Sequence, residues 1–216
     1  NTMEKAFGLT IPRTLDDVCN SSDMALLVYD MQVGIVSQVP DGAALTARVY
    51  DALTIAREAG MRVCFTRHLS LPREFMGSFQ YRMAMSWQRI DSPDDVRPWF
   101  LRDSPGFQLV PELAPLQSEP IFDKIAMSAF EGTPLSFALR DCGIRAIAIV
   151  GLAMEIGIEP TARHAADLGF IPVIVSDACG HGNEDAARGS VRLLEFAGDA
   201  IFTETNILRR SLALRR

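Results

Sequence analysis

Apolar positions along the chain fall into two alternating kinds of run. Met24–Tyr29, Met61–Thr66, Pro120–Phe122, Ala146–Val150, Ile171–Val175 and Ala200–Thr203 are short and mostly apolar. That is the pattern of strands buried on both faces of a parallel sheet. Between them the spacing turns helical. Ala43–Ala59 is stopped by Gly60, Thr133–Cys142 is closed by Gly143, and Asn183 caps a run to Phe196. From about Gly157, Ile158, Ala162, Ala165 and Ala166 recur on one face. The tail after Thr203 is helical too. Strands alternating with helices predict an α/β fold: three layers, α/β/α, around a mostly parallel sheet of about six strands with right-handed crossovers. Residues 69–118 break the rhythm with Pro72, Pro93, Pro98, Pro105, Pro111 and Pro115. Within them, Arg73–Ile90 reads as either a helix or a lid. Residues 1–23 read as an irregular arm, and residues 1–216 as a single domain.

Composition narrows the function classes. With 216 residues, 48% of them hydrophobic, there is length for a well-buried sheet and further burial between subunits. A homo-oligomer, dimer or tetramer, is therefore expected. The net charge of −6 and pI near 5.1 argue against nucleic acid as a partner. No run of about 18 uncharged apolar residues predicts a membrane span. Asn1 to Ile11 lack the basic-then-apolar order of a secretory leader. Cys19, Cys64, Cys142 and Cys179 are scattered without CxxC spacing, so they read as reduced thiols of a cytoplasmic protein, with neither a disulfide framework nor a zinc site.

Three polar features stand just past predicted strand ends: Asp30, Lys124 and the turn Leu152–Gly157. The carboxyl edge of a parallel sheet is where open α/β folds place ligands. A partly desolvated carboxylate beside an ammonium can act as general acid or base there, and the ammonium can steady it or a developing oxyanion. Each residue alone is more often a turn former or a solvated charge; together they point to one crevice. Cys179 reads as a packed thiol, His164 as structural, and His181 as a loop residue without support for ligand contact. The Met- and aromatic-rich stretch Phe75–Trp87 is either core and interface or a pocket wall. In the second case Trp87 packs on substrate, with Gln80 and Arg82 meeting its polar groups. Gln32 and His68 are further candidates for substrate contact, and Arg67, Arg73 and Arg89 are available cations.

Four motifs together resemble the isochorismatase-like superfamily. They are Leu26-Leu27-Val28-Tyr29-Asp30-Met31-Gln32, Lys124-x-x-x-Ser128-Ala129-Phe130-x-Gly132-Thr133-x-Leu135, Gly151-x-Ala153-Met154-Glu155-Ile156-x-Ile158-Glu159-x-Thr161-Ala162-Arg163, and Asp177-Ala178-Cys179. The resemblance spans about residues 24–205 and implies a Rossmann-like α/β/α hydrolase acting on a small molecule. Most members are cysteine hydrolases of amide-type C–N bonds. Asp30 and Lys124 match the catalytic Asp and Lys. The nucleophilic cysteine belongs at position 157, where this chain has glycine. The same resemblance makes Ala153 and Gly157 backbone donors to an oxyanion and the Leu152–Ala153 peptide cis. Metal-dependent members carry Asp-x-His after the second strand; Arg67-His68-Leu69-Ser70 does not supply it, so neither metal nor cofactor is expected.

A glycine cannot attack a carbonyl. Three readings follow. The chain is a naturally thiol-free hydrolase, with Asp30 as acid/base in either ether or water-mediated C–N cleavage. It is a cysteine hydrolase carrying an inactivating Cys-to-Gly change. Or it is a non-catalytic binding or scaffold relative. Glu155, two residues before Gly157, offers a second carboxylate to aim a water.

Overall fold

The computed structural model describes residues 2–215. The predicted arm contains structure of its own: an antiparallel hairpin, β1 (Glu4–Ala6) with β2 (Leu9–Ile11), and a short helix, α1 (Leu15–Val18). The main alternation then begins with β3 (Met24–Tyr29), a short α2 (Val33–Val36), α3 (Gly42–Glu58) and β4 (Arg62–His68). The Pro-rich region holds α4 (Ser78–Gln88), which settles the choice left open there in favour of a helix. The remainder is turns of 3-10 helix up to β5 (Ile121–Lys124). Then follow α5 (Leu135–Asp141), β6 (Ala146–Gly151), α6 (Glu159–Asp167), β7 (Ile171–Cys179), α7 (Glu184–Ala197), β8 (Ile201–Thr203) and α8 (Thr205–Ala213).

The six strands from β3 onward pair in the order β5-β4-β3-β6-β7-β8, all parallel. Helices cover both faces, giving the three layers expected. Period-two alternation assigns each side chain its layer. Met24, Leu26 and Val28 of β3 pack with Leu45, Val49 and Leu53 of α3 and Leu208 of α8. Ala25, Leu27 and Tyr29 face the opposite layer, with Leu135 of α5, Ile158 and Ala162 at α6, and Leu194 of α7.

Two details differ from the sequence pattern. Strand β7 runs on to Cys179 because Gly151 pairs with Cys179 after a register shift past Ile149. The helix expected from about Gly157 is preceded by one turn of π-helix, Met154–Ile158. Gly151 makes this junction possible. It has φ 125°, and a Cβ there would lie 2.0 Å from the Tyr29 carbonyl oxygen. Only glycine lets β6 leave the sheet so close to β3.

Candidate active site

The ends of β3 and β4, the segment after β5 and the turn after β6 border a cavity of about 420 Å³. Its wall includes Tyr29, Asp30, His68, Trp87, Phe100 and Ala153. Strand order explains the meeting: β3 lies between β4 and β6, so residues far apart in sequence end at one edge.

Asp30 and Lys124 form an ion pair, with Nζ 2.8 Å from Oδ2 and the lysine side chain fully buried. The other carboxylate oxygen accepts from the Thr66 hydroxyl at 2.9 Å, and the Asp30 backbone N–H donates back to Thr66. Asp30 adopts φ 47°, a left-handed conformation that Asp tolerates better than most residues and that ends the strand sharply. Burial pulls the Lys124 ammonium below its ordinary value, and the Asp30 carboxylate pulls it back up.

Lys124 Nζ also lies 3.3 Å from His68 Nδ1. An ammonium has no lone pair, so Nδ1 accepts and the ring proton sits on Nε2. Burial above all, then the Lys124 charge, presses the His68 pKa down to about 4 against the opposing pull of Asp30. His68 is thus a neutral donor at neutral pH. Its backbone is clamped by Gln32. The His68 N–H donates to Gln32 Oε1 at 2.7 Å, and Gln32 Nε2 donates to the His68 and Phe107 carbonyls at 3.0 Å each.

These contacts sort the sequence candidates. Asp30, Lys124 and His68 come together, and Trp87 and Ala153 line the cavity beside them. Gln32 lies behind the wall as a positioning residue, fully buried with its amide taken up by backbone. Gln80 lines a smaller neighbouring hollow instead, and Arg82 is exposed, touching neither space. Helix α4 presents Trp87 to the cavity and turns those two away. Glu155 is drawn off by α7: its carboxylate accepts from the Gly182 and Asn183 amides at 2.7–3.0 Å. It caps a helix N-terminus rather than aiming at the cavity.

The turn itself is asymmetric. The Leu152–Ala153 peptide is cis. The Gly157 amide donates to the Ala153 carbonyl at 3.2 Å, so it is already taken up. Ala153 lines the cavity, and its amide has no acceptor among the described residues. Of the available cations, Arg89 reaches the cavity wall, whereas Arg67 pairs with Asp123 at 2.8 Å and Arg73 holds the Pro93 and Asp94 carbonyls. Cys179 donates to the Ile149 carbonyl, and burial pushes its thiol far up, as befits a packed residue. His164 bonds the Ser128 hydroxyl at 2.7 Å on the far side of the turn. Among the described residues no group of three or more His, Cys, Asp or Glu could hold a metal.

Tyr29, Thr66 and Phe100 were not singled out from the sequence. The available signal for the first two was position alone: a hydroxyl near the carboxyl end of two adjacent strands, β3 and β4.

A parallel sheet whose strand ends gather a buried carboxylate, an ammonium and a neutral imidazole is an α/β/α fold with a site suited to acid–base chemistry. The isochorismatase domain model matches residues 24–205, and the chain belongs to that family. It is 28% identical over 170 residues to the ureidoacrylate amidohydrolase RutB of Cronobacter sakazakii, covering 71% of this chain and 73% of that one. It is 28% identical over 195 residues to nicotinamidase 3 of Arabidopsis thaliana, covering 89% and 90%. A cysteine hydrolase from Pseudomonas syringae pv. phaseolicola 1448A shares the fold, with a TM-score of 0.74 at 24% identity over 91% of this chain and 95% of that one.

Proposed function

We propose that this protein hydrolyses a C–N bond of a small amide or ureide with an activated water in place of a thiol. The observation that carries this is Asp30 at the cavity wall, ion-paired to the buried Lys124 behind it, beside a turn that bears no side chain at 157. Kinship with amidohydrolases supports the bond type.

In this mechanism Asp30 takes a proton from water and the hydroxide adds to the substrate carbonyl carbon. The oxyanion is met by the Ala153 N–H and the His68 Nε2–H, both set before the charge develops. Collapse breaks the C–N bond as the proton on Asp30 passes to the departing nitrogen. Lys124 remains behind Asp30 and holds the carboxylate in place.

Turnover of nicotinamide, carbamoyl compounds, simple ureides and isochorismate, measured beside Asp30→Asn, tests the proposal. Amide or ureide cleavage lost in the variant is the expected result. Isochorismate cleavage lost in the variant would establish an ether hydrolase instead, and silence across the panel would overturn catalysis by this site.

A further inference from the structure

Gly157 is buried, and a Cβ built on it would lie 1.7 Å from the Tyr29 hydroxyl oxygen and 2.2 Å from Cζ. Tyr29 therefore stands where a side chain at 157 would stand. Its position follows from β3, whose alternation turns Tyr29 toward α6. The side chain is held on several sides. It is 2% exposed, the Lys124 ammonium lies 4.5 Å from the ring centroid, and the hydroxyl donates to the Met127 carbonyl. Burial first, then the neighbouring Asp30 carboxylate, raise its pKa well above the phenol range, so it is neutral. A phenol has one hydrogen; the geometry directs it to the Met127 carbonyl, with the Asp30 carboxylate as the competing acceptor, so either way it is engaged within the protein. What the oxygen offers the cavity, which both residues line, is its capacity to accept.

We infer that Tyr29 is a substrate-contacting residue installed in place of a side chain at 157, its phenolic oxygen accepting a hydrogen bond from a substrate N–H. This rests on the hydrolytic reading above and narrows it to amides and ureides that keep an N–H beside the scissile carbonyl. The tyrosine forms no covalent bond to substrate and exchanges no proton, which Asp30 handles.

Two experiments test the two halves. The first needs no substrate. Gly157→Cys should lower the Tm and give a thiol that iodoacetamide alkylates slowly, because Tyr29 occupies the space. Combining it with Tyr29→Val should restore part of the Tm and speed alkylation. A Gly157→Cys protein with wild-type Tm and a fast thiol overturns the occupancy. The second uses Tyr29→Phe, which keeps the ring. Its kcat/KM on a ureide with a free N–H should fall about tenfold or more, with no matching loss on the N-methylated analogue. No loss, or equal loss on both, overturns the hydrogen bond. Absence of turnover on every N–H-bearing substrate overturns the selection together with the hydrolytic reading, while alkylation still decides whether Tyr29 fills the place.

Discussion

Asp30 has little freedom. Lys124 and Thr66 each hold one of its oxygens, and its backbone is bent at φ 47°. Asp30→Asn should keep the fold and cut turnover at least about a hundredfold, the range of general-base losses, as read by steady-state kinetics beside a circular-dichroism melt. Lys124→Met should be worse for stability than for shape. It leaves a buried carboxylate unpaired, at a cost of about 3–5 kcal/mol in denaturant unfolding. The Asp30→Asn/Lys124→Met double variant should lose much less than the sum of the two, since neither charge is then stranded. His68 sets the acid limit. The unfolded chain binds its proton near the ordinary pH 6.5, whereas the folded chain binds it near 4. The stability gained from a neutral His68 is thus complete above 6.5 and is lost as pH falls toward 4, by at most about 3 kcal/mol. Unfolding free energy measured from pH 4 to 7 should rise across that window in the wild type and flatten in His68→Gln. Equal slopes would show that another group governs it.

At the scale of elements, the turn between β6 and α6 joins strand and helix through a π-turn whose amides serve different ends. Gly157 donates inward to Ala153, whose own amide has no acceptor among the described residues. Glu155 leans the opposite way, tying this turn to the start of α7. Glu155→Ala should therefore cost about 1 kcal/mol, the usual worth of a helix cap, and speed hydrogen exchange at Gly182 and Asn183 while turnover stays within a few-fold. A collapse of turnover in a well-folded Glu155→Ala protein would return that carboxylate to the chemistry. Gln32 does similar work between α2 and β4, since its amide fixes the backbone from which His68 projects.

Across the whole molecule, the sheet order puts β3 and β6 in the middle, with β4 and β7 beside them and β5 and β8 at the edges. Central strands bonded on both sides open only with the global transition, so the slowest-exchanging amides should lie in β3 and β6 and faster ones in β8. Rapid exchange in β3 would mean that the floor of the cavity opens independently of the rest. No described helix is long and apolar enough to cross a membrane.

The strands, the layers and the Asp30–Lys124 pair were legible because burial is periodic in sequence and because parallel strand ends converge wherever the strands fall. Side-chain direction across long separations was not. Gln80, Arg82 and Glu155 are polar residues near the right elements, yet the rotation of α4 and the competing N-terminus of α7 turned them away. The contact between Tyr29 and Gly157 joins residues 128 positions apart, and neither residue marks the other in the chain. The sequence by itself determined which segments are strands and helices, which edge carries the chemistry, and that no thiol stands at 157, because periodicity and residue identity are local. Only the tertiary structure decided that a phenol fills that place, that His68 stays neutral and that the Ala153 amide is left without an acceptor in a residue lining the cavity, because each depends on which surfaces pack together.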